Sequence, residues 1–526
     1  MSIWHFGPEP TEGEQKSHYD VCIVGSGAAG SVAAHRMSQM GLHVLILEQG
    51  PYIQAHTTYE DVLMASEKAL ARQPNGCWAL NGYPWSTCNV GGGTIFYGGA
   101  SFRYRLVDFD ASAHFPDADL PVVWPYTYGD LEPYYDKIEN HVGIAADPSK
   151  DPFGPPTRIS NLPPVAPSPS AKHILRGAGK LGLKGFPTPL AIATVSYRGR
   201  PACDNSQPCI EHRCPSGSKG DVYTCFLRET LQAPRVRLFA GMKAVRLERR
   251  QEGSIESIVA LRTDTKQTYR FSAKVFVVAC NAIQSAALLL RSADQWSPSG
   301  IGNEHDMVGR GLCMKLNEYV TGFVHGRAND DVEDVTAPEG VGPFSTVSLM
   351  DYYLDESIPT GMGGMIYENR YGQSYSMRPH GAVVRLECMI ADQPSRKNRV
   401  LLSRKLDDFG LPLLAIDYTA HPRDLVRLEA MIERCTAILE HADCRWIRRE
   451  ATDFHLGSCH LHGTCRSGRE PRSSVLDTKS RVHSVENLYV IDGAYMPFAS
   501  AVNPTHTIQA HSLKSTEGIL QTHWKL

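Results

Sequence analysis

The apolar and polar positions of residues 19–50, "YDVCIVGSGAAGSVAAHRMSQMGLHVLILEQG", change period twice. An apolar run, "DVCIVG", meets a glycine-rich turn, small and apolar residues at helical spacing follow, and a second apolar run, "HVLILE", ends the unit. Short, continuous apolar runs suit strands buried on both faces, so the segment predicts a βαβ unit with parallel strands. The longest apolar run, "VFVVACNAIQSAALLL" (275–290), is interrupted by Asn281, Gln284 and Ser285 and is too short to span a bilayer. It predicts a buried strand turning into a helix. Residues 235–278 alternate like a meander, and residues 396–419 predict two strands around an Asp-Asp-Phe-Gly turn. Leu425, Leu428, Met431, Ile432 and Cys435 give residues 422–441 helical spacing. The pattern as a whole predicts an α/β protein in which a parallel nucleotide-binding sheet is joined by a second, antiparallel sheet.

Composition narrows the partners. A chain of 526 residues has room for two or more domains, and 42% hydrophobic with 21% charged residues is an ordinary globular balance. Lys plus Arg is 53 against 56 for Asp plus Glu, which leaves no electrostatic footprint for nucleic acid or an acidic membrane. The first residues are polar and acidic, without the basic end and apolar stretch of a secretory signal. The 14 cysteines are dispersed, so reduced thiols in a cytoplasm are expected. The Pro- and Gly-rich segment 149–169 predicts a linker or long surface excursion, 336–343 is similarly Pro- and Gly-rich, and the acidic run "NDDVEDV" (329–335) predicts a loop.

Gly25-Ser26-Gly27-Ala28-Ala29-Gly30 fits G-x-G-x-x-G between a strand and a helix, and Glu48 follows Gly25 by 23 residues at a strand end. Gly25 permits the tight turn, Gly27 lets backbone approach a pyrophosphate, and Gly30 permits close helix packing. Glu48 would accept hydrogen bonds from a ribose hydroxyl. The fingerprint alone does not separate FAD from NAD.

A second cluster, "FHLGSCHLHGTCRSG" (454–468), holds His455, His460 and His462 with Cys459 and Cys465. Residues i and i+2 of a strand share a face, so His460 and His462 with a cysteine could hold a metal. No second ligand pair stands elsewhere in the chain, and the expectation is no metal. A base is the stronger reading, because a histidine titrates near neutrality and can take a hydroxyl proton.

Three further segments carry a resemblance: "NVGGGTIFYGGASFRYR" (89–105), "VFVVACNAIQSAALLLRS" (275–292) and the run from His460 to Ala510 that includes "NLYVIDGAYMPFASAVNPTHTIQA". With the fingerprint, and in this order, they resemble the glucose-methanol-choline (GMC) oxidoreductases over nearly the whole chain. The resemblance implies a Rossmann-like FAD-binding domain with a second α+β substrate domain on an antiparallel sheet, and oxidation of an alcohol by hydride transfer to flavin N5. It places FAD against Gly25, Gly27, Ala28, Ala29, Gly30, Glu48, Gly92, Gly93, Thr94, Phe96, Tyr97, Gly98, Val245, Asp492, Gly493, Pro504 and Thr505. The base is the first histidine of an H-x-x-G-T motif, here His460, and its partner matches Asn503, 503 − 460 = 43 residues later. His462 is expected as a second polar wall of the substrate pocket. Residues 15–110, 225–315 and 455–526 would form the FAD domain, and 111–224 with 316–454 the substrate domain.

Some members attach FAD to a histidine where this chain has Phe96, so the FAD is expected to be dissociable. Many read Ala-Gly where this chain has Cys280-Asn281. "NPTHT" (503–507) reads as a helix start with Asn503 as cap, which conflicts with a substrate role for the same side chain. Cys203, Cys209 and Cys214 are spaced as in relatives that carry an iron–sulfur cluster; ordinary thiols are the favoured reading. Within the family, residues 80–110 look like the flavin 6′-dehydrogenases of aminoglycoside biosynthesis. The expected substrate is therefore a small aminosugar, steered by Asp330, Asp331, Glu333 and Asp334, with dioxygen or another molecule as electron acceptor. A pyranose or glycoside oxidase, and a non-catalytic flavin-binding or lyase-like relative, are the alternatives.

Overall fold

The computed structural model describes all residues except 1–4, 55–56, 58–60, 62–68, 74, 82–85, 156–161, 205–209, 252, 326–345, 370–380 and 451–458. The predicted βαβ unit is present: strands His18–Val24 and Val44–Glu48 pair in parallel with Val21 opposite Val44, and helix Ala28–Gln39 connects them. All five residues of the second strand are buried, as a parallel strand covered on both faces requires. Val236–Ala240 continues the sheet beyond Val44–Glu48, and Thr268–Val278 continues it beyond His18–Val24, both in parallel. The eleven-residue strand Thr268–Val278 changes partner along its length. Its first half pairs antiparallel with Ser254–Arg262, and its last residues pair in parallel with Leu488–Val490. Met242–Gln251 completes the seven strands. The alternating segment 235–278 is thus no separate sheet. Its first strand leaves the meander to join the parallel stack, and its hairpin extends the same sheet.

The antiparallel sheet is built elsewhere. Its six strands run in the order Arg445–Glu450, Leu316–His325, Gly381–Ile390, Gly364–Glu368, Val347–Leu349 and Gly185–Pro187, each antiparallel to its neighbour. Two amphipathic helices, Pro169–Lys180 and Pro422–His441, cover one face. Val320, Val384, Leu386 and Ile366 from the sheet pack with Ile174, Leu428, Met431 and Ile438 from the helices. Side chains alternate across a strand, so Asn317, Tyr319, Tyr367, Arg385 and Glu387 belong to the opposite face.

The expected hairpin at 396–419 forms as Arg399–Leu406 and Pro412–Asp417. Ala69–Arg72 pairs in parallel with its second strand, and Trp78–Asn81 adds to that, giving a four-stranded sheet. This sheet joins residues that the sequence reading divided between two domains. The C-terminal helix Thr505–Trp524 packs on Ala28–Gln39 through Ile519 and Leu520 against Ala33, Ala34 and Met37. Among the described residues no helix is long and apolar enough to cross a membrane.

Candidate active site

A cavity of about 640 Å³ lies where the parallel sheet faces the polar side of the six-stranded sheet. Of the residues expected at FAD, Gly25, Gly27, Ala28, Ala29, Glu48, Gly92, Gly93, Thr94, Phe96, Tyr97, Gly98, Asp492, Gly493, Pro504 and Thr505 line it. Gly30 and Val245 do not. A Cβ on Gly30 would stand 2.0 Å from the Gly25 carbonyl oxygen, so this glycine serves the packing of turn on helix. At the other position, Met242 and Ala244 of the same strand reach the cavity instead. The two glycine-rich segments touch: a Cβ on Gly92, whose φ is +56°, would lie 2.9 Å from the Gly27 Cα. No side chain separates that backbone from a ligand on the turn.

Glu48 is buried at the end of its strand and held by three donors. Its Oε2 accepts from the Ser26 amide at 2.9 Å and the Ser26 hydroxyl at 2.7 Å, and its Oε1 accepts from the Gly50 amide at 2.9 Å. Burial raises its pKa, and these bonds oppose the rise. Ser26, an x position of the fingerprint, is therefore the residue that orients the carboxylate, a role the motif itself does not announce.

The Cys280-Asn281 pair also has a structural use. Asn281 sits at φ +74°, and its own Oδ1 accepts from the amides of Ile283 at 2.9 Å and Gln284 at 3.2 Å, starting helix Asn281–Arg291. An asparagine tolerates this left-handed conformation and supplies the cap that a glycine could not. Across from it, Asp492 accepts from the Ser285 hydroxyl at 2.6 Å and the Ala494 amide at 2.8 Å; burial lifts its pKa to about 6.

His460 and Asn503 meet at the cavity wall, with Asn503 Nδ2 3.5 Å from His460 Nε2. In this orientation the amide donates, which leaves Nε2 as the proton-free nitrogen. The helix after Asn503 is capped by Pro504, with no side-chain cap bond. The expected conflict of roles is thereby removed, because Asn503 is not a cap and its side chain serves the cavity. Burial, then the Lys315 cation, then His462 push the His460 pKa well below its ordinary 6.5. Lys315 is fully buried, at φ +61°, and donates to the carbonyl of Val502, next to Asn503. Burial pulls its own pKa down to about 7 although Asp108 and Asp392 oppose this. No motif contains Lys315, and the sequence reading missed it.

His462 is not a wall of the pocket. It is fully buried, its Nδ1 lies 2.7 Å from the His460 carbonyl oxygen, and its Nε2 lies 3.1 Å from the Tyr104 hydroxyl. A carbonyl only accepts, so Nδ1 carries the proton and Nε2 accepts from Tyr104. The ring locks the backbone of His460 and faces away from the cavity lining. With both nitrogens of His462 engaged and Cys465 in the apolar core, the metal reading gains no ligands from either. Cys459 lines the cavity. His455, Asp330, Asp331, Glu333 and Asp334 lie outside the described residues, as does Cys209. Cys214 is buried in a small cluster with Leu190 and Ile192, against which Cys203 packs.

Opposite the glycine-rich wall stand Asn317, Tyr319, Tyr367, Arg385 and Glu387, with Glu368 beside them. The sequence reading passed over this group. The alternation in "LNEYVTG" (316–322) and "VVRLECMI" (383–390) signals one polar face, but which face meets a cavity depends on the helices covering the other.

A strand–glycine turn–helix unit with a fixed carboxylate, facing a histidine–asparagine pair across one cavity, defines a flavin-dependent alcohol oxidoreductase, and the residues present fit FAD. The chain belongs to the GMC oxidoreductase family: the family's N-terminal model matches residues 19–317 and its C-terminal model residues 394–512. It is 46% identical to the 6‴-hydroxyparomomycin C oxidase of Streptomyces lividus, over 95% of this chain and 91% of that protein. It is 43% identical to the paromamine 6′-oxidase of Streptomyces fradiae, over 98% and 95%. Among solved structures, formate oxidase from Aspergillus oryzae superposes with a TM-score of 0.69 at 16% identity, covering 97% of this chain and 99% of that one. Pyridoxine 4-oxidase from Mesorbium loti gives 0.66 at 18%, covering 95% and 99%. Both structures share the fold.

Proposed function

We propose that this protein oxidises the primary 6′-hydroxyl of a paromamine-like aminosugar to an aldehyde, using FAD held without a covalent bond. The observation that carries the reading is the pairing of His460 with Asn503 on the cavity that the dinucleotide fingerprint also lines. The names and near-complete coverage of the two Streptomyces relatives support the substrate class and favour dioxygen as the acceptor. Phe96, buried at the cavity, has no nucleophilic atom with which to anchor a flavin. The proposed FAD part comprises residues 15–110, 225–315 and 455–526, and residues 111–224 and 316–454 supply the substrate side.

Bound FAD supplies the two-electron acceptor for the hydride that leaves carbon. The chain supplies the rest. His460 Nε2, kept neutral by burial and by Lys315, takes the hydroxyl proton, for roughly 10²–10⁴-fold in rate. Asn503 holds the alcohol oxygen beside that nitrogen, and Lys315 fixes the Val502 carbonyl that leads into it. The Thr505–Trp524 helix directs its N-terminus, through Thr505, at the same cavity, and its dipole favours the negative charge that develops there.

Anaerobic mixing with paromamine should bleach the flavin, and mass spectrometry should find an aldehyde two hydrogens lighter than the substrate. With oxygen present, hydrogen peroxide should form in equal amount. Faster bleaching by glucose or simple glycosides would favour the pyranose oxidase alternative, and no bleaching by any alcohol the non-catalytic one. Acid precipitation should leave all the flavin in solution; flavin in the pellet would refute the non-covalent assignment.

A further inference from the structure

Three neighbouring strands of the six-stranded sheet place Tyr319, Glu387 and Tyr367 in one row, since Glu387 is the register partner of both tyrosines. All three line the cavity that holds His460 and Asn503. Glu387 is 4% exposed. Its Oε1 accepts from Asn317 Nδ2 at 3.0 Å, and its Oε2 accepts from the Tyr367 hydroxyl at 2.6 Å and from Asn369 Nδ2 at 2.5 Å. These three donors are neutral. Among the described residues no ion pair within 4.0 Å reaches Glu387; the adjacent cation, Arg385, binds Glu450 at 2.8 Å and acts on Glu387 through its charge, without a hydrogen bond to it. A carboxylate has about four acceptor positions, so three bonds fix this one and leave capacity for one more donor. The site is close to the chemistry: after burial, the Glu387 charge is the main influence raising the thiol of Cys459, the residue before His460, to about 11.

A buried carboxylate whose hydrogen bonds all come from neutral donors is costly to keep in a cavity wall, and with Arg385 committed to Glu450 a cation hydrogen-bonded in the cavity would lower that cost. Neutral sugars need no such charge, since hydroxyls bind well to amides and phenols. We infer that Glu387, fixed by Asn317, Tyr367 and Asn369, is the residue that binds an ammonium group of the substrate and selects aminosugars over neutral sugars. The inference rests on the aminosugar reading above and locates its recognition inside the cavity, not on the acidic run 329–335.

The test compares paromamine with its fully N-acetylated derivative, which keeps the primary hydroxyl and loses the charge. In the wild-type holoenzyme kcat/KM should favour paromamine by roughly 10- to 100-fold, the worth of one hydrogen bond to a charged group. Because the pair is buried, that preference should persist in about 0.5 M salt, where exposed charges are screened. Glu387→Gln should bring the ratio close to one while FAD content and Tm hold. Oxidation of both compounds without preference, a preference abolished by salt, or a preference kept by Glu387→Gln would each overturn the assignment. If Glu387→Gln fails to fold, Glu387→Asp, which keeps the charge and shortens the reach, carries the assignment: an unchanged ratio in that folded variant would overturn it. Failure of paromamine to reduce the flavin at all, while neutral alcohols do, would instead remove the reading beneath it.

Discussion

The cavity has two walls of different origin. The wall from the parallel sheet is made of a few contiguous segments in which backbone does the contacting: the turn at Gly25–Gly27 and the glycine-rich run at Gly91–Gly93. The wall from the six-stranded sheet is made of single side chains, one from every second position, gathered from three strands spread between Leu316 and Ile390. A backbone wall depends little on which side chains the chain carries. A side-chain wall can change one residue at a time without disturbing the fold, which is why the proposal places substrate choice there. His460 and Asn503 stand at the seam, attached to the first wall by the chain and exposed to the second.

This contrast predicts a graded set of effects. His460→Ala should abolish most flavin reduction, by roughly 10²–10⁴-fold, while the flavin remains bound and the fold intact. Stopped-flow absorbance under anaerobic conditions measures it, and a loss of flavin instead would mean that His460 belongs to the cofactor wall. His462→Ala should harm the chemistry less and stability more, by about 1–3 kcal/mol, because it removes the buried bonds that join its ring to the Tyr104 hydroxyl and the His460 carbonyl. A Tm unchanged in this variant, with catalysis lost, would reverse the roles assigned to the two histidines.

Glu48→Ala tests the backbone wall. It removes the carboxylate that Ser26 and Gly50 orient, and FAD affinity should fall by roughly 10- to 100-fold, the worth of one hydrogen bond to a charged group. Fluorescence titration of the apoprotein reports the loss, and unaltered affinity would show that the cofactor bypasses Glu48. The smallest expected effect lies at the seam. Lys315 lowers the His460 pKa, so Lys315→Met should raise it, and the acid limb of the reduction rate should move to higher pH. In the wild type that limb should fall below pH 6.5, the ordinary value for histidine, since protonated His460 cannot take a proton. A limb that stays in place would confine Lys315 to holding the Val502 carbonyl.

The motif-bearing parts of the cavity were legible in the chain, and the reasons are local. Fifteen of the seventeen residues expected at FAD line the cavity, because turn, helix start and strand end are fixed by neighbouring residues. The exceptions are instructive. Gly30 obeys the motif but serves helix packing, and His462 shares a strand-like spacing with His460 yet is turned to Tyr104 by the His460 carbonyl. The expected cap at Asn503 failed because Pro504 itself takes that position, which frees the amide for His460.

By itself the sequence determined the βαβ unit, the fingerprint and its carboxylate, written in short runs whose spacing is their meaning, while the H-x-x-G-T histidine and the distant asparagine were legible only through the resemblance to the family. Only the tertiary structure decided which segments became the antiparallel sheet, that Val236–Ala240 would join the parallel one, that Lys315 would lie under Asn503, and that Glu387 would face the same cavity as His460. The physical reason is that alternation along a strand specifies two faces but not their partners. Helices Pro169–Lys180 and Pro422–His441 cover the apolar face of the six-stranded sheet, and the polar face is left to line the cavity.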